Sequence, residues 1–510
     1  MTTKVQSLVS SGTGGRLVDI ECSLSNNLPN IVIVGSATKP VDEAKERVRS
    51  AFAASNLNLP RKRITINLAP ADLPKNDSGL DVAMAVSILL ASQQISLTPG
   101  NNNLLFLGEL GLDGSIRPIR GMIGKLLAAR QQGKTVCVIP TANLAQARLV
   151  PGIQLIPAGS LTNIYDHFTS VKLIEVVETG VGYAEKRLNS VVDTSLDEVV
   201  GQALAKRALE IAAAGGHNVF FSGPPGTGKT MLAKALSSLL PPLNHEEMLE
   251  ITHLHSLVSN DYDKTVTTRP FRSPHHSASH VAIIGGGLNL RPGEISLSHR
   301  GVLFMDELPE FSRMTLESLR QPLEDRVVSV ARAKEAVDYP ADFILIATAN
   351  PCPCGFYGTT KPCTCMPHQI ARYQQKLSGP ILDRIDLFAN VHEVDHAKLL
   401  HTNSGSSQAI DSARRVASAR STQLQRFSHA KLNAGMTNQE LKQHGHITPE
   451  AKQILDAAGE KLGISARSYM RTIKVARTIA DLDQSTRIET RHITEALQFR
   501  KPEITTGALV

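Results

Sequence analysis

Apolar positions recur along this chain in three regimes. From residue 1 to about 170, short β-branched runs at Asn30–Val34, Ile64–Leu68 and Thr135–Ile139 alternate with helix-like stretches such as Val41–Ala54 and Gly121–Gln132. That alternation predicts an α/β layer. A second α/β block begins near Asp193, after a charged, irregular connector, and continues to about Leu400. The polar stretch HTNSGSSQ at 401–408 predicts an exposed loop, after which helical spacing dominates to Phe499. In this last regime Tyr469, Ile473, Ala476 and Ala480 place one apolar stripe on a helix that Ser465 is positioned to cap. The expected organisation is an α/β domain over 1–170, an α/β core over 193–400 and a small helical bundle over 409–510. No internal repeat is visible.

Composition narrows the class without deciding it. A length of 510 residues suggests about three domains. Hydrophobic residues at 42% and charged residues at 20% are ordinary for a globular chain and argue against a disordered or fibrous one. The opening MTTKVQSLVSSGTGG lacks the basic start and apolar core of a secretory signal, and the longest apolar run, Val82–Ala91, is too short to span a bilayer. The expectation is a cytoplasmic protein with no membrane partner. Six cysteines in such a chain argue against a disulfide framework, so clustered ones point to metal or catalysis. A net charge of +7 permits a nucleic-acid partner without demanding one.

The clearest chemistry lies in the second block. Asn218–Ser222 reads as a short apolar strand, GPPGTGKT follows, and Thr230–Leu240 reads as a helix stopped by Pro241 and Pro242. In that loop, which runs Gly223, Pro224, Pro225, Gly226, Thr227, Gly228, the glycines let successive backbone N–H groups turn toward phosphate oxygens, and the helix N-terminus adds its positive dipole end. Lys229 reaches the outer phosphates and Thr230 ligates magnesium, so the expected cofactors are ATP and Mg2+. A second buried-type strand, Gly301–Met305, ends in Asp306 and Glu307. Asp306 is expected to hold magnesium and Glu307 to polarise the attacking water. A third, Phe343–Ala349, ends in Asn350, placed to orient that water. In ILDRIDL, Arg384 reads either as an arginine supplied to a neighbour's nucleotide or as an ordinary surface pair with Asp383 or Asp386. Arg467, at the start of a later helix, is a second arginine sensor, with Arg471 as its rival.

Two further clusters carry metal-binding residue types. Cys352, Cys354, Cys363 and Cys365 form paired C-x-C units, enough thiolates for one tetrahedral zinc within an insertion at 352–365, although reduced, empty thiols fit the spacing equally. His368 offers a substitute ligand. His275, His276 and His280 read less well as a metal site, because adjacent side chains point apart in an extended chain. With Arg269 and Arg272 beside them, they read as a polar insertion suited to phosphate contact.

These residues, together with RPFRSPHHSASHVAIIGGG (269–287), PGEISLSHRGVLFMDELPEF (292–311) and ATANPCPCG (347–355), resemble the ComM/YifB family of magnesium-chelatase-like AAA+ ATPases over nearly the whole chain. The resemblance implies a P-loop AAA+ core with a parallel sheet, a C-terminal helical lid and ATP-dependent hexamers. For ComM members it implies a DNA helicase that drives branch migration when single-stranded DNA integrates during natural transformation, so the expected partner is single-stranded, forked or branched DNA. The first domain resembles the proteolytic domain of Lon. Within PKNDSGLDVAMA (74–85), however, Gly79 stands at the catalytic-serine position, and within 118–140 Ile123 stands at the catalytic-lysine position. Both halves of the dyad are missing, so a non-proteolytic scaffold is expected, despite Ser78 and Lys125 nearby. The segment 323–351 resembles the presensor hairpin of minichromosome-maintenance helicases, which places Arg332 and Lys334 toward DNA or on a solvated hairpin. A chelatase-like motor and a protein-remodelling ATPase are the rival function classes.

Overall fold

A computed structural model describes residues 2–35, 39–73, 75, 78–97, 103–180, 195–287, 290–332, 335–359, 361–377, 379–394, 408–427 and 431–501, without the side chains of 2, 39, 40, 332, 335, 379 and 380. The chain divides into two compact units. The first gathers residues 1–188, 244–267 and 331–338; the second gathers 189–243, 268–330 and 339–510. Chain contacts therefore differ from the linear division. The helix His245–Ser256 belongs with the first unit, and the C-terminal helices share the second unit with the phosphate loop. The polar stretch 401–407 and residue 193 lie outside the described residues.

In the first unit, β1 (Thr2–Ser11), β2 (Gly14–Ser25), β3 (Asn30–Val34) and β4 (Arg63–Ala69) form a sheet in the order β1-β2-β4-β3, with only the β3–β4 pair parallel. Val18, Ile20 and Cys22 on β2 and Ile64, Ile66 and Leu68 on β4 alternate into one core. The helices α1 (Ala44–Ala54) and α2 (Asp81–Ala91) contribute Phe52 and the wholly buried run Val82–Leu89 to that core. A second sheet of β5 (Leu104–Phe106), β6 (Val136–Pro140), β7 (Gln154–Ala158) and β8 (Val177–Glu178) packs with α3 (Met122–Gln131). The His253 ring is within hydrogen-bonding distance of the Thr13 carbonyl at 2.6 Å, which ties the helix His245–Ser256 to the β1–β2 turn. Burial lowers the His253 pKa.

The second unit is built on five parallel strands. They are β9 (Val219–Ser222), β10 (Phe271–Arg272), β11 (Val302–Met305), β14 (Ile344–Ala349) and β15 (Leu387–Asn390), in the order β10-β11-β14-β9-β15. Between β11 and β14 the chain makes a hairpin of β12 (Val327–Arg332) and β13 (Glu335–Pro340). β11 and β14 are buried on both faces, as parallel strands under helices are. The helices α4 (Ala203–Gly215) and α5 (Lys229–Leu239) cover the sheet. The C-terminal helices α8 (Gln408–Phe427) and α9 (Ala466–Leu482) extend the same core through Val416, Ile473, Ala476 and Ile479. The numbers α6 (Arg320–Asp325) and α7 (Pro367–Lys376) go to two intervening helices. The stripe read on α9 holds, with Ile473, Ala476 and Ala480 buried, and the Ser465 hydroxyl accepts the Ser468 N–H at 3.3 Å. Among the described residues no helix is long and apolar enough to cross a membrane.

A polar network sits inside this core. Asp481 accepts from Arg426 at 2.5 Å, from Arg477 at 2.9 Å and from Asn433 at 2.8 Å. Thr478, beside it, contacts the His217 ring at 2.8 Å, and the other ring nitrogen of His217 lies 3.2 Å from Asp386. The network thus runs from α9 to the residue preceding Asn218 and β9.

Candidate active site

The phosphate loop leaves the sheet at the C-terminal end of β9. Gly226 and Gly228 adopt φ of +80° and +87°, a region open to glycine at little cost, and the second turns the chain into α5. Lys229 is buried, and its ammonium donates to the carbonyls of Gly223 at 2.7 Å and Pro224 at 2.8 Å and to Asn350 Oδ1 at 3.0 Å. Burial lowers its pKa, opposed by the charges of Asp306 and Glu307. The structure therefore brings together the four residues read from three separate strands.

The acidic pair is fixed by a residue that the sequence reading missed. Thr348 donates its hydroxyl proton to Asp306 Oδ1 at 2.5 Å and accepts the Glu307 N–H at 3.0 Å. Its signal was a polar side chain in the otherwise apolar run FILIATA. Asp306 Oδ2 lies 3.5 Å from Thr230 Oγ1, a gap that a magnesium ion about 2.1 Å from each oxygen spans. The residues present fit that ion. Glu307 takes φ of +52°, unusual for a residue with a side chain, where β11 gives way to the next turn.

Arg384 and Arg467 lie at the other end of the sheet. Arg384 precedes β15, and its carbonyl accepts from Asn218 Nδ2, at the start of β9, at 2.9 Å. Since β9 and β15 run parallel, the length of a four-residue strand, about 13 Å, separates that edge from the phosphate loop. Arg384 pairs with Glu324 at 2.8 Å, and Arg467 reaches the other oxygen of the same carboxylate at 2.5 Å. Neither of the aspartates weighed from the sequence is this partner. Arg471 donates to the Ile385 carbonyl and to Leu382 at 3.4 Å, a packing role, while Arg467 remains 57% exposed. A cavity of about 620 Å³ opens here.

The cysteine loop borders the nucleotide site. Cys352, Cys354 and Cys363 place their sulfurs 3.4 to 3.7 Å apart, and all four thiols, Cys365 included, fall within 4.8 Å of one another. Four sulfurs about 2.3 Å from one zinc stand about 3.8 Å apart, so the set fits a tetrahedral ion without His368. Backbone N–H groups, Phe356 first, lower the Cys354 pKa to about 5. A Cβ on Gly355 would come within 2.5 Å of Pro225 Cδ, so the loop packs on the phosphate loop itself. Tyr373 accepts the Asn350 N–H, and Gln374 donates to Pro351 at 3.4 Å, which brace the same corner from α7.

The remaining basic and histidine residues are placed as follows. Arg269 donates to the carbonyls of Pro241 at 2.7 Å and Arg300 at 2.8 Å, and Arg272 forms a two-pronged pair with Glu294 at 2.6 and 2.5 Å. Lys334 and the Arg332 side chain lie outside the described residues. The His275 and His276 rings do not point apart. Residues 276–278 turn rather than extend, and the ring centroids stand 4.1 Å apart. In the first unit, Gly79 and Ile123 are buried, Ser78 donates to Glu109, and Asp81 is engaged by Arg47 at 2.6 Å and by the Leu110 N–H at 3.1 Å. Burial raises the Asp81 pKa to about 6 despite the Arg47 pair.

Comparison with known proteins accounts for these parts in order. Residues 195–399 match a family model described as magnesium chelatase, subunit ChlI; residues 20–143 match one described as subunit ChlI of Mg-chelatase, and 405–500 match the ChlI C-terminal model. The competence protein ComM of Haemophilus influenzae is 41% identical over 497 residues, 97% of each chain. YifB of Salmonella typhimurium is 41% identical over 96% of this chain and 95% of its own. A Lon protease of Solibacter usitatus is 27% identical over 137 residues, 26% of this chain and 17% of that protease. With a phosphate loop on a parallel sheet, a Lon-like first domain and likeness running end to end, the chain belongs to the ComM/YifB family of magnesium-chelatase-like AAA+ proteins.

Proposed function

We propose that this protein is an ATP-hydrolysing ring motor, a hexamer, that translocates on DNA and drives branch migration as incoming DNA recombines in the cytoplasm. The observation that carries the motor is the placement of Lys229, Asp306 and Asn350 at one end of the sheet and Arg384 and Arg467 at the other. On this reading the two arginines, too far from their own subunit's phosphates, serve a neighbour's, and the head-to-tail contact this requires gives a ring where its rotation closes. In one site, Lys229 and the loop amides hold the phosphates, Asp306 and Thr230 hold Mg2+, Glu307 and Asn350 orient water, and the neighbour's arginines stabilise charge growing on the γ-phosphate.

The DNA reading is supported by the 41% likeness to a competence protein over nearly the full length. The grip falls to Arg332 and Lys334 on the hairpin, which would hold the phosphate backbone and give weak sequence preference. Arg272 joins them where its pair with Glu294 opens; Arg269, held by carbonyls, supports the same segment. The matches to a chelatase subunit favour a second reading, a motor acting on a protein partner. Strand displacement on forked and four-way DNA, with ATP turnover measured in parallel, separates the two. Displacement that fails in the Arg332→Ala/Lys334→Ala variant while basal turnover survives is the expected result. Turnover indifferent to DNA, with no displacement, would transfer the assignment to the protein-partner motor.

The four thiols are assigned a structural zinc on the strength of their separations. Elemental analysis of protein purified without added metal should give about one zinc per subunit. Zinc far below that ratio, unchanged by Cys352→Ser, would leave them as plain thiols.

A further inference from the structure

Glu324 belongs to none of the roles assigned so far, yet two arginines converge on it. Arg384 donates to one carboxylate oxygen and Arg467 to the other, at 2.8 and 2.5 Å. Arg384 is 13% exposed, Glu324 41% and Arg467 57%, so the carboxylate bridges a largely buried guanidinium and a solvent-facing one. Around it the cavity presents Arg326, Arg384, Arg467, Arg471 and Lys474 against three carboxylates. Asp386 already serves His217 and the Asn218 N–H, each at 3.2 Å. Removing Glu324 would therefore leave a strongly cationic recess, matched to an anion with several oxygens, such as a terminal phosphate.

Glu324 is also joined to the hairpin. It lies on α6, one residue before the end of that helix, and Arg326 turns the chain into β12 with φ of +57°. The hairpin base is pinned to the same residue: Ala341 N donates to the Arg326 carbonyl at 2.7 Å, and the Arg326 guanidinium donates to Asp342 Oδ1 at 2.6 Å. Arg300 holds the other Asp342 oxygen at 3.0 Å. A displacement of Glu324 is thereby delivered to the start of β12 through a short, hydrogen-bonded corner.

We propose that Glu324 is a parking residue for the two arginines, occupying within a single subunit the place that a neighbour's γ-phosphate takes on assembly, and that its release shifts the hairpin base. The inference rests on the reading of Arg384 and Arg467 as trans-acting. Binding of the neighbour's nucleotide must then displace Glu324, which weakens assembly and couples it to the hairpin.

The test is the protein concentration at which ATP-dependent assembly reaches its midpoint, followed by sedimentation and by turnover per subunit. Glu324→Gln should lower that midpoint roughly three- to tenfold, the scale of two partly exposed ion pairs lost to a competitor. Glu324→Asp, one methylene shorter, should fall between it and the parent and provides the readout if the first variant folds poorly. Adding Glu324→Gln to an Arg384→Ala/Arg467→Ala protein should produce no shift, which a purely structural role for Glu324 would not require. A midpoint unchanged or raised by Glu324→Gln overturns the proposal, as does an equal shift without the arginines. Turnover by fully assembled Arg384→Ala is read alongside. If it equals the parent, the trans-acting reading itself fails; if it is lost while Glu324→Gln leaves the midpoint unmoved, the parking role alone fails.

Discussion

A lysine whose three donors are satisfied by Gly223, Pro224 and Asn350 holds a phosphate only by exchanging those partners. On the proposed reading, binding of nucleotide would free Asn350 Oδ1 to orient a lytic water, while the Thr348 bonds hold Asp306 and Glu307 in place. Lys229→Ala should abolish nucleotide binding or turnover. Glu307→Gln should leave binding near parental and reduce turnover by roughly 10³-fold or more, measured by fluorescent-nucleotide titration and phosphate release. Turnover by Glu307→Gln within a few-fold of the parent would remove Glu307 from the chemistry. Lys229, Asp306 and Glu307 were legible because their signals are local: a glycine-rich loop after a strand, an acidic pair ending another. Thr348 and Glu324 were not, because a threonine in a strand and a glutamate in a helix acquire meaning only from partners 42 and 60 or more positions away.

At the scale of elements, burial patterns carried the reading and tertiary packing supplied what they lacked. The strand Asn30–Val34 has the bounds its β-branched run gives, and the capped α9 helix buries the expected stripe, although from Val475 to Leu482 it is buried all round rather than on one face. The helix His245–Ser256 could not be assigned to the first unit from sequence. Its membership is settled by contacts such as His253 with Thr13, and not by any local signal. The adjacent histidines were misread because alternation was applied to a segment that turns. The Asp481 network is the strongest test of element packing, because it buries one carboxylate under two guanidinium groups and an amide. Asp481→Ala should cost about 3–5 kcal/mol in urea unfolding, since both cations lose their partner inside the core. A loss under about 1 kcal/mol would mean that water replaces the carboxylate there.

On the scale of the whole molecule, the proposed motor needs two subunits for each site, because the phosphate loop lies at one end of the sheet and Arg384 and Arg467 at the other. Mixing Lys229→Ala with Arg384→Ala subunits should recover activity, because each variant supplies the half the other lacks. At equal amounts roughly a quarter of subunit contacts would pair an intact loop with an intact arginine, which sets the ceiling of rescue. No recovery, with mixed rings shown by mass, would place Arg384 outside the neighbour's site. The contact of Gly355 with Pro225 carries a practical consequence for such assays. With zinc in the thiols as proposed, a chelator used to stop the reaction would strip two ions held on different clocks. Magnesium is restored by adding it back, whereas thiols emptied of zinc are free to oxidise, and the loop resting on Pro225 would then lose its shape. Activity that excess magnesium fails to revive, but zinc with a reductant does, would make an ordinary quench a stopwatch for the cysteine loop.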